Sequence, residues 1–124
     1  QALRAELEAA RREAERDALT GLPNRRGFDR ALAAALAGRG PAFLLMLDID
    51  HFKAVNDRHG HAVGDLVLAE VAATLRACLR PADTAARLGG EELAVVLDGA
   101  TPEAAGAFAE TLRQAIAASG VLVE

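Results

Sequence analysis

Two pairs of acids sit where the chain could bring them together. Asp48 and Asp50 follow the apolar run Ala42 to Leu47, and Glu91 and Glu92 follow Gly89-Gly90. Carboxylate oxygens that converge without His or Cys are hard ligands, suited to Mg²⁺ or Mn²⁺ rather than zinc. His51, His59 and His61 lie close in sequence, but their spacing fits no zinc site. Glycine lets a ligand approach the backbone, and a divalent ion beside such a turn suits nucleotide phosphates. Lys53 either adds positive charge there or is simply an exposed lysine. Asn56 offers an amide donor and acceptor to a nucleobase edge, and Asp65 offers two acceptors suited to the N1–H and 2-amino group of guanine. Taken singly, each is equally an ordinary turn residue.

These residues need elements to hold them. Ala42 to Leu47 is short, apolar on both faces and bounded by Pro41, which predicts a strand covered on both sides. Acids at the carboxyl end of such a strand are where open α/β sheets place their chemistry, although an Asp there also serves as a helix cap. Thr84 to Leu88 and Leu93 to Leu97 flank the glycines and glutamates, predicting a β-hairpin with acid at its tip. If that hairpin neighbours the first strand, the two acid pairs meet.

The remaining elements follow in order. Residues 1–16 are strong helix formers with Leu3, Leu7, Ala10 and Ala14 at heptad-like steps, which reads as a solvated lead-in helix or as a dimerising signal helix. Asp17 to Asn24 contains Gly21 and Pro23 and predicts a turn, with Asn24 capping a helix over 25–37 that carries Phe28, Leu32 and Leu36 on one face. A short helix over 51–58 and a glycine-punctuated turn at His59–Asp65 lead into a long amphipathic helix over 66–79, with Leu68, Val71, Ala72 and Leu75 inward. Thr101-Pro102-Glu103 starts a helix that runs to Ala118, and Val121 to Val123 could begin a strand. The order predicts a mixed α/β or α+β domain: a central sheet flanked by helices, behind an N-terminal lead helix.

Bulk properties narrow the class. The chain has 124 residues, about one domain, of which 52% are hydrophobic and only four are aromatic, all Phe, so small-residue helical packing is expected. A formal charge of −4 argues against a nucleic-acid binder, which would carry a basic face. The lone Cys78 can form no internal disulfide and reads as a small buried hydrophobe in a reducing, cytoplasmic setting. No apolar stretch reaches the roughly 20 residues of a membrane span. The start, Gln1-Ala2-Leu3-Arg4, lacks an initiator Met, and a piece of a longer protein is expected.

Four segments then coincide with one family. Asp17-Ala18-Leu19-Thr20-Gly21-Leu22-Pro23-Asn24-Arg25-Arg26, Asp48 to Asp57, Gly60 to Asp65, and Arg87-Leu88-Gly89-Gly90-Glu91-Glu92-Leu93 together resemble the GGDEF domain of diguanylate cyclases, in order and spacing, from residue 17 to the end. The resemblance implies a nucleotidyl-cyclase-like sheet and the condensation of two GTP into cyclic di-GMP and two pyrophosphates. Each domain of a homodimer holds one GTP, with two Mg²⁺ or Mn²⁺ ions per active site. It implies that Asp48, the Ile49 carbonyl and Glu91 bind metal, and that Glu91 also takes the 3′-hydroxyl proton, with Glu92 as the second acid. By the same resemblance Lys53 stabilises the transition state, Asn56 and Asp65 read guanine, His61 makes a further substrate contact, and Gly89 and Gly90 leave room for the nucleotide. Arg80-Pro81-Ala82-Asp83 fits the family's R-x-x-D site, where cyclic di-GMP binds and inhibits.

The departures are Leu93 for the usual Phe, Glu91 for Asp, and the lack of a further strand, helix and basic residues with which the family ends. An upstream sensory domain in the parent protein is expected to act through residues 1–16, with residues 17–124 as a C-terminally incomplete catalytic domain. The competing expectation is a non-enzymatic module that binds GTP or cyclic di-GMP and signals by interaction.

Overall fold

The computed structural model describes residues 2–38, 40–49 and 51–118. It contains helices α1 (Ala2–Ala14), α2 (Arg25–Ala37), α3 (Phe52–His59), α4 (His61–Cys78) and α5 (Pro102–Ala118). Its strands are β1 (Ala42–Asp48), β2 (Thr84–Gly89) and β3 (Glu92–Asp98). They form an antiparallel sheet in the order β1-β3-β2. Asp50 and the strand anticipated at 121–123 lie outside the described residues.

Alternation along β3 divides the interior in two. Leu93, Val95 and Leu97 point to one face, where Leu68, Val71, Ala72 and Leu75 of α4 meet Phe52 and Val55 of α3 and Leu112 of α5. Ala94 and Val96 point to the other face, against Phe28 and Ala35 of α2. Every β3 residue from Leu93 to Leu97 is buried, so the central strand of the described sheet carries the continuous apolar run.

Local signals explain the boundaries. The Asn24 side chain accepts from the backbone N–H groups of Arg26 and Gly27, fixing the start of α2 as its cap. The Thr101 hydroxyl accepts from the Ala104 N–H at 3.1 Å and starts α5 in the same manner. Along α2 the expected stripe drifts. Successive residues turn by about 100°, so Ala35, seven on from Phe28, comes back over the sheet, while Leu36 rotates out to solvent.

Two expectations need correction. First, β1 is not covered on both faces: Leu44 and Met46 are 48% and 58% exposed. They lie opposite Val96 and Ala94 on the α2 side, and α2 packs over β2 and β3 rather than over this flanking strand. Second, His59–Asp65 is not an extended turn. Gly60, at φ 89° and ψ 163°, makes the break alone, and α4 begins at His61. Gly64 lies within the helix for a packing reason: a Cβ there would come within 1.7 Å of Asn56 Oδ1 on α3.

Candidate active site

The antiparallel pairing of β1 with β3 places the carboxyl end of one beside the amino end of the other. Asp48 is therefore opposite Glu92 in the register, on the same face of the sheet. Glu91 is half-buried and precedes Glu92 in the turn Gly90-Glu91. A register shift between Arg87 and Gly89 sets Gly89 against Glu92 and bends the tip. Gly90 has φ 45°, a region where side chains are strained, and among the described residues nothing lies within 4 Å of where a Cβ would project at Gly89 or Gly90. The tip is thus acidic, kinked and open.

Among the described residues, no group of three or more His, Cys, Asp or Glu side chains converges to hold a metal ion. The donor chemistry nevertheless suits magnesium. Two carboxylates and a main-chain carbonyl, with no imidazole or thiolate, are enough for an ion that keeps several of its waters. Asp48 is exposed and Ile49 half-buried at the end of β1. Two residues on, His51 adopts a left-handed conformation, φ 61° and ψ 22°, without capping α3 through its side chain. A non-glycine residue held there costs of order 1 kcal/mol. Asp48, Ile49 and His51 also line a cleft of about 540 Å³, which is otherwise walled mainly by apolar residues of β1, α4 and α5.

The corner between α3 and α4 gathers the polar groups assigned to a base. Asn56 packs on Gly64, the residue before Asp65, so the tight α3–α4 turn brings these two polar residues to one corner. Asn56 Oδ1 is buried and has no hydrogen-bond partner among the described residues. A buried acceptor left unmade costs about 1–3 kcal/mol, which a donor on a ligand would recover. His61 and Asp65 are exposed and four residues apart on α4. Lys53 projects from the first turn of α3 with its side chain 92% exposed and, among the described residues, only Asp57 near, at 3.9 Å.

Arg80 and Asp83 do come together, but with each other. Arg80 Nη2 donates to Asp83 Oδ1 at 2.7 Å, and Arg80 Nε reaches both carboxylate oxygens. The Asp83 side chain is 0% exposed, and it also accepts from the Arg80 backbone N–H. Asp83 therefore holds Arg80 in place, and the half-exposed guanidinium presents outward. The hydrogen bond that Arg80 donates to Asp83 raises the Arg80 pKa above its ordinary value.

A set of contacts had no role from sequence reasoning. The Asp17 carboxylate accepts from the Thr20 N–H at 2.9 Å and the Thr20 hydroxyl at 2.8 Å, and its backbone N–H donates to the Leu22 carbonyl. Burial alone would raise the Asp17 pKa. The Thr20 hydroxyl and N–H and the Arg87 guanidinium together hold it below its ordinary value. Arg76 of α4 donates to the Thr20 carbonyl at 2.6 Å, and Asn24 Nδ2 to the Ala14 carbonyl at the end of α1. One signal was available in the sequence. Arg87 follows two small strand residues, Ala85 and Ala86, both buried here, and a charge at such a place needs a partner.

A sequence model described as "Diguanylate cyclase, GGDEF domain" matches residues 14–123. Diguanylate cyclase DgcP of Pseudomonas aeruginosa is 47% identical over 121 residues, covering 94% of this chain and 18% of that protein. Diguanylate cyclase VdcA of Vibrio cholerae is 40% identical over 114 residues, covering 92% of this chain and 34% of that protein. The chain thus spans 18% and 34% of the length of these two curated relatives. Among solved structures, the coiled coil and GGDEF domain of DgcB from Caulobacter crescentus, in complex with c-di-GMP, superposes with TM-score 0.78 at 39% identity, over 89% of this chain and 60% of that one. Diguanylate cyclase SiaD of Pseudomonas aeruginosa, in complex with its activator SiaC, gives TM-score 0.81 at 38% identity, over 93% and 46%. With the four motifs on this fold and the family match running from the end of α1 through α5, the chain belongs to the GGDEF diguanylate cyclase family.

Proposed function

We propose that this domain is the catalytic unit of a diguanylate cyclase that condenses two GTP into cyclic di-GMP and two pyrophosphates. Each domain of a homodimer holds one GTP. The observation that carries the reading is the meeting of Asp48 with Glu92 across β1 and β3, with Glu91 next to it in a glycine turn open to a nucleotide. In this reading Asn56 and Asp65 hold the guanine edge, and the unpartnered Asn56 oxygen receives a base N–H. His61 adds a contact from the first turn of α4. Glu91 accepts the proton of the 3′-hydroxyl. That oxygen then bonds to the α-phosphorus of the other GTP as the bond to pyrophosphate breaks. Lys53, held only by an exposed pair with Asp57 at 3.9 Å, reaches the charge that develops on the phosphoryl oxygens.

Asp48, the Ile49 carbonyl and Glu91 are the groups that would hold Mg²⁺ or Mn²⁺, with Glu92 beside them. The metal would supply charge neutralisation at the phosphates. With Nε and Nη2 engaged by Asp83 and the Asp98 carbonyl, the preset Arg80 guanidinium offers Nη1 to a phosphate or guanine, as product inhibition at an R-x-x-D site requires. A GTP substrate places the reaction in the cytoplasm, and the parent protein is expected to supply a sensory domain upstream of α1.

The test is a product assay. The parent protein is incubated with GTP and Mg²⁺, the nucleotides are separated by chromatography, and Glu91→Gln is the control. Cyclic di-GMP from the parent, lowered about a thousandfold in the variant, is the expected result. A folded parent that binds GTP or cyclic di-GMP yet makes no product would overturn the proposal.

A further inference from the structure

The glycine turn that carries Glu91 has little steric confinement of its own. Among the described residues nothing lies within 4 Å of a Cβ position at Gly89 or Gly90, and Gly90 occupies a conformation available to few other residues. Two successive glycines in an open turn leave the backbone freedom that catalysis cannot tolerate, since misplacing a reacting group by about 1 Å can cost a hundredfold. Something must hold the turn, and the hydrogen bonds identify it. Arg87 Nε donates to the Gly90 carbonyl at 3.0 Å. The same guanidinium, through Nη1, lies 3.2 and 3.4 Å from the two oxygens of the Asp17 carboxylate.

That carboxylate is itself fixed. It accepts from the Thr20 N–H and hydroxyl, within a turn closed by the Asp17 N–H to the Leu22 carbonyl. The Arg87 backbone N–H donates to the Pro23 carbonyl at 2.9 Å, so main chain and side chain of one residue both grip this turn. The ion pair is largely shielded, with side chains 21% and 19% exposed. The other end of the turn holds α1, because the Asn24 amide N–H and side chain bond to the Glu15 and Ala14 carbonyls.

We infer that Arg87 is a positioning residue that ties the exit of the lead helix to the glycine turn bearing Glu91, so that displacement of α1 reaches the catalytic acid through one guanidinium. Two different nitrogens of one rigid plane make these bonds, Nε to the Gly90 carbonyl and Nη1 to Asp17. A lysine at 87 would carry its donors on a single nitrogen at the end of a flexible stem and would not reproduce that spacing. The inference deepens the cyclase reading and rests on it.

The experiment is Arg87→Lys in the full-length parent, chosen because it keeps the charge. Expected are an unfolding midpoint near that of the parent, a kcat for cyclic di-GMP formation lowered about tenfold, and a KM for GTP within about twofold. Faster amide hydrogen exchange over residues 89–92 is expected in the same variant, and this is read without turnover. Arg87→Gln, which removes the charge, should lower kcat further. A variant with parental kcat and parental exchange would overturn the inference, as would a raised KM at unchanged kcat, which would mean that Arg87 touches the nucleotide. If the parent itself makes no product, the cyclase reading falls, while the exchange measurement still decides whether Arg87 holds the turn.

Discussion

Two charged regions of this domain spend their charges in opposite ways. In the turn between α1 and α2, Asp17 is engaged by Thr20 and Arg87, and a third side chain, Arg76, reaches in from α4. Around the end of β1 and the start of α3, the polar groups are left available. Among the described residues, Asp48 is exposed, Lys53 has only a 3.9 Å neighbour, and Asn56 Oδ1 is buried without a partner. The first region satisfies its polar groups internally, as a buried structural network must. The second leaves Asp48 and Lys53 to solvent and Asn56 Oδ1 buried without a partner among the described residues, and that one acceptor costs stability unless a donor meets it. Arg80 and Asp83 fall between the two, with an acid wholly satisfied inside and a guanidinium half outside.

The contrast is broken most directly at Lys53. If it serves chemistry alone, Lys53→Ala should leave the unfolding midpoint unchanged, because the 92% exposed side chain supports nothing. The same change should lower kcat about a hundredfold, the order seen when one preorganised donor to a transition state is removed. Paired urea unfolding and product assays check both halves. A loss of stability without a loss of rate would move Lys53 into the structural group.

Gly64 offers a smaller and more selective probe. A methyl group at this position would meet Asn56 Oδ1 at 1.7 Å, so Gly64→Ala must push the amide away from its place. The expected outcome is a KM for GTP raised about tenfold, with kcat reduced less, since a lost base contact is worth about one hydrogen bond to substrate. Nucleotide titration by calorimetry would check it. An unchanged affinity would mean that Asn56 does not read the base.

How much of this was legible beforehand depends on the range of the signal. Local chemistry announced itself: the Asn24 and Thr101 caps, the Gly89-Gly90 tip and the α4 stripe of Leu68, Val71, Ala72 and Leu75 all lie where the residues predict. Three features escaped. Gly64 reads as a turn residue because its reason is a neighbour on another helix, and the exposure of Leu44 and Met46 depends on how far α2 reaches across the sheet. The Asp17–Arg87 pair joins residues 70 apart, and no local pattern could choose among the available acids and bases. Likewise the acids at 48 and 91–92 were visible as residues, but their meeting required the antiparallel register.

The smallest expected effect concerns the satisfied region and is set by pH. The Asp17 carboxyl is held below its ordinary value, since the bonds from Thr20 and the charge of Arg87 outweigh the burial that would raise it. A depressed pKa in the folded chain means that the ionised form favours folding. The contribution is complete above the ordinary Asp value of about 4, and it fades as pH falls through the lower value of the folded state. Asp17→Asn should therefore cost about 1 kcal/mol at pH 7, a modest figure because solvent still reaches the pair. The gap to the parent should narrow below about pH 4, where the parent's carboxylate begins to take up its proton in the unfolded chain while the folded chain still holds it ionised. Urea midpoints from pH 7 down to pH 3 would trace this. A gap that stayed constant would assign the loss to the missing oxygen's geometry rather than its charge, and the pairing with Arg87 would then owe its strength to shape alone.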